Sequence, residues 1–178
     1  MKPALKRDSL KTYAKYSIFF IIIFGFGFFL SFFVFQEVSD TYYDSFKISN
    51  ALDIFINNLF VGLTIFFLGL ISVGFLSSVI VFLNGYFSGA IFFSYEKILG
   101  FWQSLQYILF HGPIEIFALL IFYVVSLDIS SRILSFFKKS DTNLMIKPKV
   151  KEYIMIMISA VGLLFLASIV EYFVISLK

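Results

Sequence analysis

The chain has 178 residues, of which 60% are hydrophobic, 27 are phenylalanine and only 14% are charged. A soluble domain is closer to half apolar and a quarter charged, so a water-soluble globular class is excluded and a bilayer is the expected surroundings. The net charge of +3 lies in short flanks rather than along one face, which excludes a nucleic-acid-binding surface.

Redox and metal chemistry are narrowed by the same count. With no cysteine there are no disulfides and no thiol chemistry. With one histidine in addition, a structural zinc site of the usual Cys/His kind is not expected. No cofactor is expected from the sequence, and neither a metal site nor a catalytic residue is assigned.

Lys2, Lys6, Arg7, Lys11 and Lys15 form a basic flank over residues 1–16, followed by an apolar run over 17–35. The pattern has the look of a secretory leader. The run from Ile18 to Phe35 is longer than a leader's apolar region, however, and no small-x-small cleavage site follows. It is read as an uncleaved first membrane helix. Further apolar stretches cover 54–83, 85–102, 105–127 and 153–177. Most are long enough to cross about 30 Å of hydrocarbon at about 1.5 Å per residue. The piece at 85–102 is weaker because it carries Glu96 and Lys97. The fold class is therefore all-α: a polytopic membrane helix bundle of about five transmembrane helices in one domain, 17–178.

Loop charges set the expected topology, because basic loops favour the cytoplasm. The amino-terminal flank is basic, the 36–53 loop carries Glu37, Asp40, Asp44 and Asp53, and the 128–152 loop carries Arg132, Lys138, Lys139, Lys147, Lys149 and Lys151. This puts the amino terminus inside and the carboxy terminus outside, with five crossings and an inner turn near Asn84. A four-crossing alternative with a re-entrant 84–102 piece would place the lysine-rich loop outside, against the charge rule. Gly85 and Gly89 form a small-xxx-small pair, expected to serve helix packing within the chain, since close backbone approach is a main source of helix association in lipid.

The unusual stretch is Tyr107–Leu119, YILFHGPIEIFAL. His111 and Glu115 are four residues apart and share one helix face. Pro113 between them cannot donate to the Leu109 carbonyl, so a kink is expected at Gly112/Pro113. By depth, Asn58 on the second helix lies in the same outer half and is expected to meet the pair. A carboxylate at membrane depth must be paired, protonated or wet. Three roles stay open for Asn58, His111 and Glu115: a hydrogen-bonded lock, a polar site lining a cavity or path, and an acid–base pair. No nucleophile arrangement or second histidine supports the last. Glu171 in the last helix reads as an interfacial, solvated residue. Asp128 and Arg132 read as an i, i+4 surface pair of little energetic weight.

Three motifs occur in a recognisable order: Asn57–Asn58 opening a glycine-bearing helix, NGYFSG at Asn84–Gly89, and HGPIE at His111–Glu115. In this the chain resembles the stage II sporulation protein M (SpoIIM) family, whose members carry a membrane asparagine, an N-G-x-x-x-G element and a P-H-G-x-x-E element in that order. The resemblance covers about 50–127 and the last helix. Phe110 stands where the family often has proline, and Pro113 follows instead, while the H-G-x-x-E spacing is kept. The resemblance implies a polytopic bacterial membrane protein without its own catalysis. It would sit in the lipid bilayer of the cell membrane and work with other membrane proteins, either ABC-type exporters, including those of bacteriocin clusters, or cell-wall remodelling machinery. The first expectation is a non-enzymatic subunit that scaffolds or gates such a complex. No G-x-x-x-x-G-K-[ST] is present to power transport alone. The alternatives are a small channel or transporter, single or homo-oligomeric, using His111 and Glu115, and then an intramembrane enzyme.

Overall fold

A computed structural model describes residues 3–34, 50–138 and 150–176. The acidic residues Glu37, Asp40 and Asp44 and the basic Lys139, Lys147 and Lys149, on which the expected topology leans, lie outside the described residues. Six helices follow in order: α1 (Pro3–Val34), α2 (Ala51–Ser72), α3 (Phe75–Leu99), α4 (Phe101–Leu109), α5 (Gly112–Lys138) and α6 (Val150–Ser176). There is no strand among the described residues. Helix is what the composition dictates, because a backbone in hydrocarbon must satisfy its own amides within the segment. Five of the six contain a stretch long and apolar enough to cross a membrane: Leu10–Val34, Ala51–Ser72, Phe75–Leu99, Gly112–Ser135 and Val150–Val174.

The segment boundaries differ from the sequence reading in two places. The apolar run 54–83 is not one helix. It contains a tight turn at Val73–Gly74, so the turn expected near Asn84 lies there instead and Asn84 falls in the middle of α3, half-buried. Val73 takes a left-handed conformation at φ 54, Gly74 follows at φ 94, and the Gly74 amide donates to the Gly69 carbonyl at 3.1 Å. This closes the end of α2 in the manner of a Schellman cap. Serines supply the remaining partners. Ser72 accepts from the Leu76 amide at 2.9 Å, and the Ser77 and Ser78 hydroxyls donate to the Gly74 carbonyl at 2.9 and 2.7 Å. A turn closed by local backbone bonds and serine hydroxyls needs no charged flanks, which is why hydropathy passes over it.

The second difference is the kink. The run 105–127 is interrupted completely at Phe110–His111, between α4 and α5. The His111 carbonyl accepts from the Ile114 and Glu115 amides at 3.0 and 3.1 Å. Gly112 and Pro113 therefore form the first turn of a new helix rather than the middle of a bent one. Proline costs nothing there, since first-turn amides have no intrahelical acceptor. The preceding α4 has nine residues, about 13 Å of helix and too short to cross. It is amphipathic, with Trp102 74% exposed and Ser104 buried, the pattern of a helix lying in the membrane interface.

Helix α5 is the centre of the bundle, in contact with α1, α2, α4 and α6, while α1 packs along α3. The core is Phe20, Ile65, Val81, Leu119, Phe122, Tyr123 and Leu164 with smaller neighbours. Glycine sets the α1–α3 contact. A Cβ on Gly85 would overlap the Phe24 carbonyl, one on Gly89 the Ser31 hydroxyl, and one on Gly27 the Phe82 carbonyl. The two backbones therefore touch, as expected where dispersion rather than water drives association. Outward faces remain apolar: Phe19, Ile22, Phe26, Phe29 and Phe33 on α1 are all more than half exposed and suit lipid or another helix.

Candidate functional site

Polar side chains gather at two places along α5, its start and the surroundings of Asp128. At the first, His111 closes the α4–α5 junction, Glu115 lies in the first turn of α5, and Glu171 comes from the last turns of α6. Metal-ligating atoms of the three lie within 4.8 Å of one another, and His111 Nε2 is 3.9 Å from Glu171 Oε2. The side chains of His111 and Glu171 are 11% and 19% exposed. His111 Nδ1 is buried without a hydrogen-bond partner. Burial holds the imidazole below its ordinary pKa, opposed by the backbone of Tyr107 one turn back, and so favours the neutral ring. Two ionised carboxylates at this separation repel by about 3 kcal/mol at an effective dielectric of 20. A proton or a cation must offset that. The position of Glu115 at a helix amino terminus helps modestly, because the helix dipole favours negative charge there.

Glu171 is thus not the solvated interfacial residue that its position in the sequence suggested. It is the third member of the site. Asn58 is buried on the inward face of α2 along the row Ile54, Asn58, Gly62, Ile65 and Gly69, while Asn57 is exposed. No hydrogen bond or ion pair joins Asn58 to His111 or Glu115 among the described residues. Nothing in the local sequence signalled Glu171. Its partners lie a whole helix and a loop away, and only the antiparallel packing of α6 on α5 brings them together.

At the second, Asp128 is 5% exposed. Its Oδ2 accepts from the Tyr13 hydroxyl at 3.0 Å, from Arg132 Nε at 3.1 Å, and from the Tyr153 hydroxyl. The surface pair expected at Asp128 and Arg132 is instead a buried carboxylate tying α1, α5 and α6 together. Arg132 supplies a charge-assisted bond, and the tyrosines bring the hydroxyls that burial requires. Between the two, hydroxyls bond to backbone carbonyls one turn back, as Ser126 to Tyr123 at 2.8 Å and Ser168 to Phe165 at 2.8 Å.

No curated protein and no solved structure matches the chain. The model of one family does match, over residues 16–175. With five helices able to span a bilayer and that match over nearly its whole length, the chain belongs to the stage II sporulation protein M (SpoIIM) family.

Proposed function

We propose that the chain is a non-catalytic subunit of a larger assembly in a bacterial cell membrane, with its amino terminus in the cytoplasm and its carboxy terminus outside. Its partner is of the ABC-exporter or cell-wall-remodelling kind, and the chain scaffolds or gates it. The observation that carries this reading is the closed middle of the bundle. Glu115 and Asp128 lie about 20 Å apart along α5. The space between them is filled by Leu119, Phe122 and Tyr123 with Phe20, Ile65 and Leu164, none more than 1% exposed. A channel through one chain needs a chain of polar groups or water at this depth, since an ion in hydrocarbon costs several kcal/mol. The apolar outer faces of α1 and α6 offer instead a surface on which other membrane helices can pack.

The transporter reading draws its support from the His111, Glu115 and Glu171 cluster. Flux decides between the two. Purified protein in liposomes is expected to pass protons and monovalent cations no faster than protein-free vesicles. A clear flux that Glu115→Gln abolishes, in protein that assembles normally, would establish a transport path and overturn the accessory role.

A further inference from the structure

We infer that His111, Glu115 and Glu171 form a binding site for one divalent transition cation of the zinc class, at the end of the bundle opposite the amino terminus. The donor set comes first. Imidazole and two carboxylates are the ligand types of three-ligand zinc sites, in which a water takes the fourth position. Imidazole selects against magnesium and calcium, which prefer all-oxygen shells. The composition argued against a site built from cysteines and histidines, and here the carboxylates stand in for them.

Geometry supplies the second support. His111 and Glu115 are at i, i+4 across the start of α5, the spacing that lets two ligands share one helical face. Glu171 reaches them from a separate helix, so the three donors converge from independently anchored segments. Their ligating atoms lie within 4.8 Å, with His111 Nε2 and Glu171 Oε2 at 3.9 Å. Tetrahedral zinc with ligands at about 2.1 Å brings such atoms to roughly 3.4 Å. Rotation of two flexible glutamate side chains covers that difference, with no movement of the backbone.

The third support is the imidazole's other nitrogen. His111 Nδ1 is buried and unpartnered. A metal-bound histidine usually donates its second N–H to a carbonyl or carboxylate. A cation on Nε2 would fix the tautomer that carries its proton on Nδ1, the nitrogen that has no hydrogen-bond partner in this structure. The ion would also neutralise the two facing carboxylates and pin α6 to the α4–α5 junction. The site stands whether or not the chain works with partners.

The test uses full-length protein with an affinity tag that contains no histidine, purified in mild detergent without chelator. Elemental analysis is expected to find about one zinc-class ion per chain. After chelation, added zinc chloride should restore the ion and raise the melting temperature. His111→Ala and Glu171→Gln should each weaken zinc binding by at least about tenfold, and neither variant's melting temperature should respond to zinc. Glu171→Gln is nearly isosteric, so its monodispersity on size exclusion keeps lost binding separate from lost fold. Chelated wild-type protein that takes up no zinc, manganese or cobalt and shows no thermal shift would overturn the site. So would a Glu171→Gln variant that binds zinc as tightly as the wild type.

Discussion

Single residues hold this bundle together in ways that differ sharply in weight. Asp128 is buried and accepts from Tyr13, Arg132 and Tyr153. Removing the shared acceptor takes one partner from each of three donors. Asp128→Ala should therefore cost about 3 kcal/mol in detergent melts, and Tyr153→Phe about 1.5 kcal/mol. Arg132 has a side chain 37% exposed, so Arg132→Ala should cost less than about 1 kcal/mol. Equal losses at Asp128 and Arg132 would restore the simple ion pair that the sequence suggested. The turn between α2 and α3 gives a second contrast. Val73 is the sole non-glycine residue at positive φ among the described residues, a conformation that costs a β-branched side chain about 1–2 kcal/mol. Val73→Gly should raise stability by about 1 kcal/mol. At Gly74, φ is 94 and a Cβ would overlap the Leu127 side chain, so Gly74→Ala should lower stability by about 2 kcal/mol. Thermal melts of both variants read these signs directly.

At the scale of helices, what could be read from the sequence follows a simple physical division. Signals carried by consecutive residues were legible: helical class, five spans, and a disturbance of the helix beside Pro113, expected as a kink and found as a break. The i, i+4 pairing of His111 and Glu115 belongs with them, because periodicity alone puts the two on one face. Signals carried by packing were not. The apolar run 54–83 concealed the Val73–Gly74 turn, since serines satisfied its backbone without interrupting the hydropathy. Glu171, Tyr13 and Tyr153 take their roles from helices distant in sequence, and no local pattern marks them. Gly85 lies between these cases. Its spacing to Gly89 announced a close contact, while the partner, α1, emerges only from the fold. A contrast of glycines tests that contact. Gly85→Leu should cost about 3 kcal/mol and loosen α1 from α3, visible as a lower melting temperature in detergent. Gly25 has nothing within 4 Å of a added Cβ, so Gly25→Ala should be neutral or stabilising by up to about 1 kcal/mol. Similar losses at both positions would mean that α1 and α3 are not packed backbone to backbone.

For the whole molecule, the two polar clusters and the closely packed middle combine into one account. The Asp128 network fixes α1, α5 and α6 at the end bearing the amino terminus. The His111, Glu115 and Glu171 cluster brings the start of α5 and the last turns of α6 together at the other. Between them the core residues are closely packed, which supports the proposed reading that the chain works through its surfaces. The cysteine-free sequence makes orientation easy to read. A lone cysteine at Trp102 should react with a membrane-impermeant maleimide added to intact cells, and a lone cysteine at Lys11 only after lysis. The reverse pattern would invert the topology. The most direct test of the central claim is quantitative mass spectrometry of everything that co-purifies with the tagged chain from native membranes in mild detergent. A membrane partner in near-constant ratio to the chain, either exporter subunits or cell-wall enzymes, is the result this account predicts. A pure homo-oligomer with no second protein would contradict it.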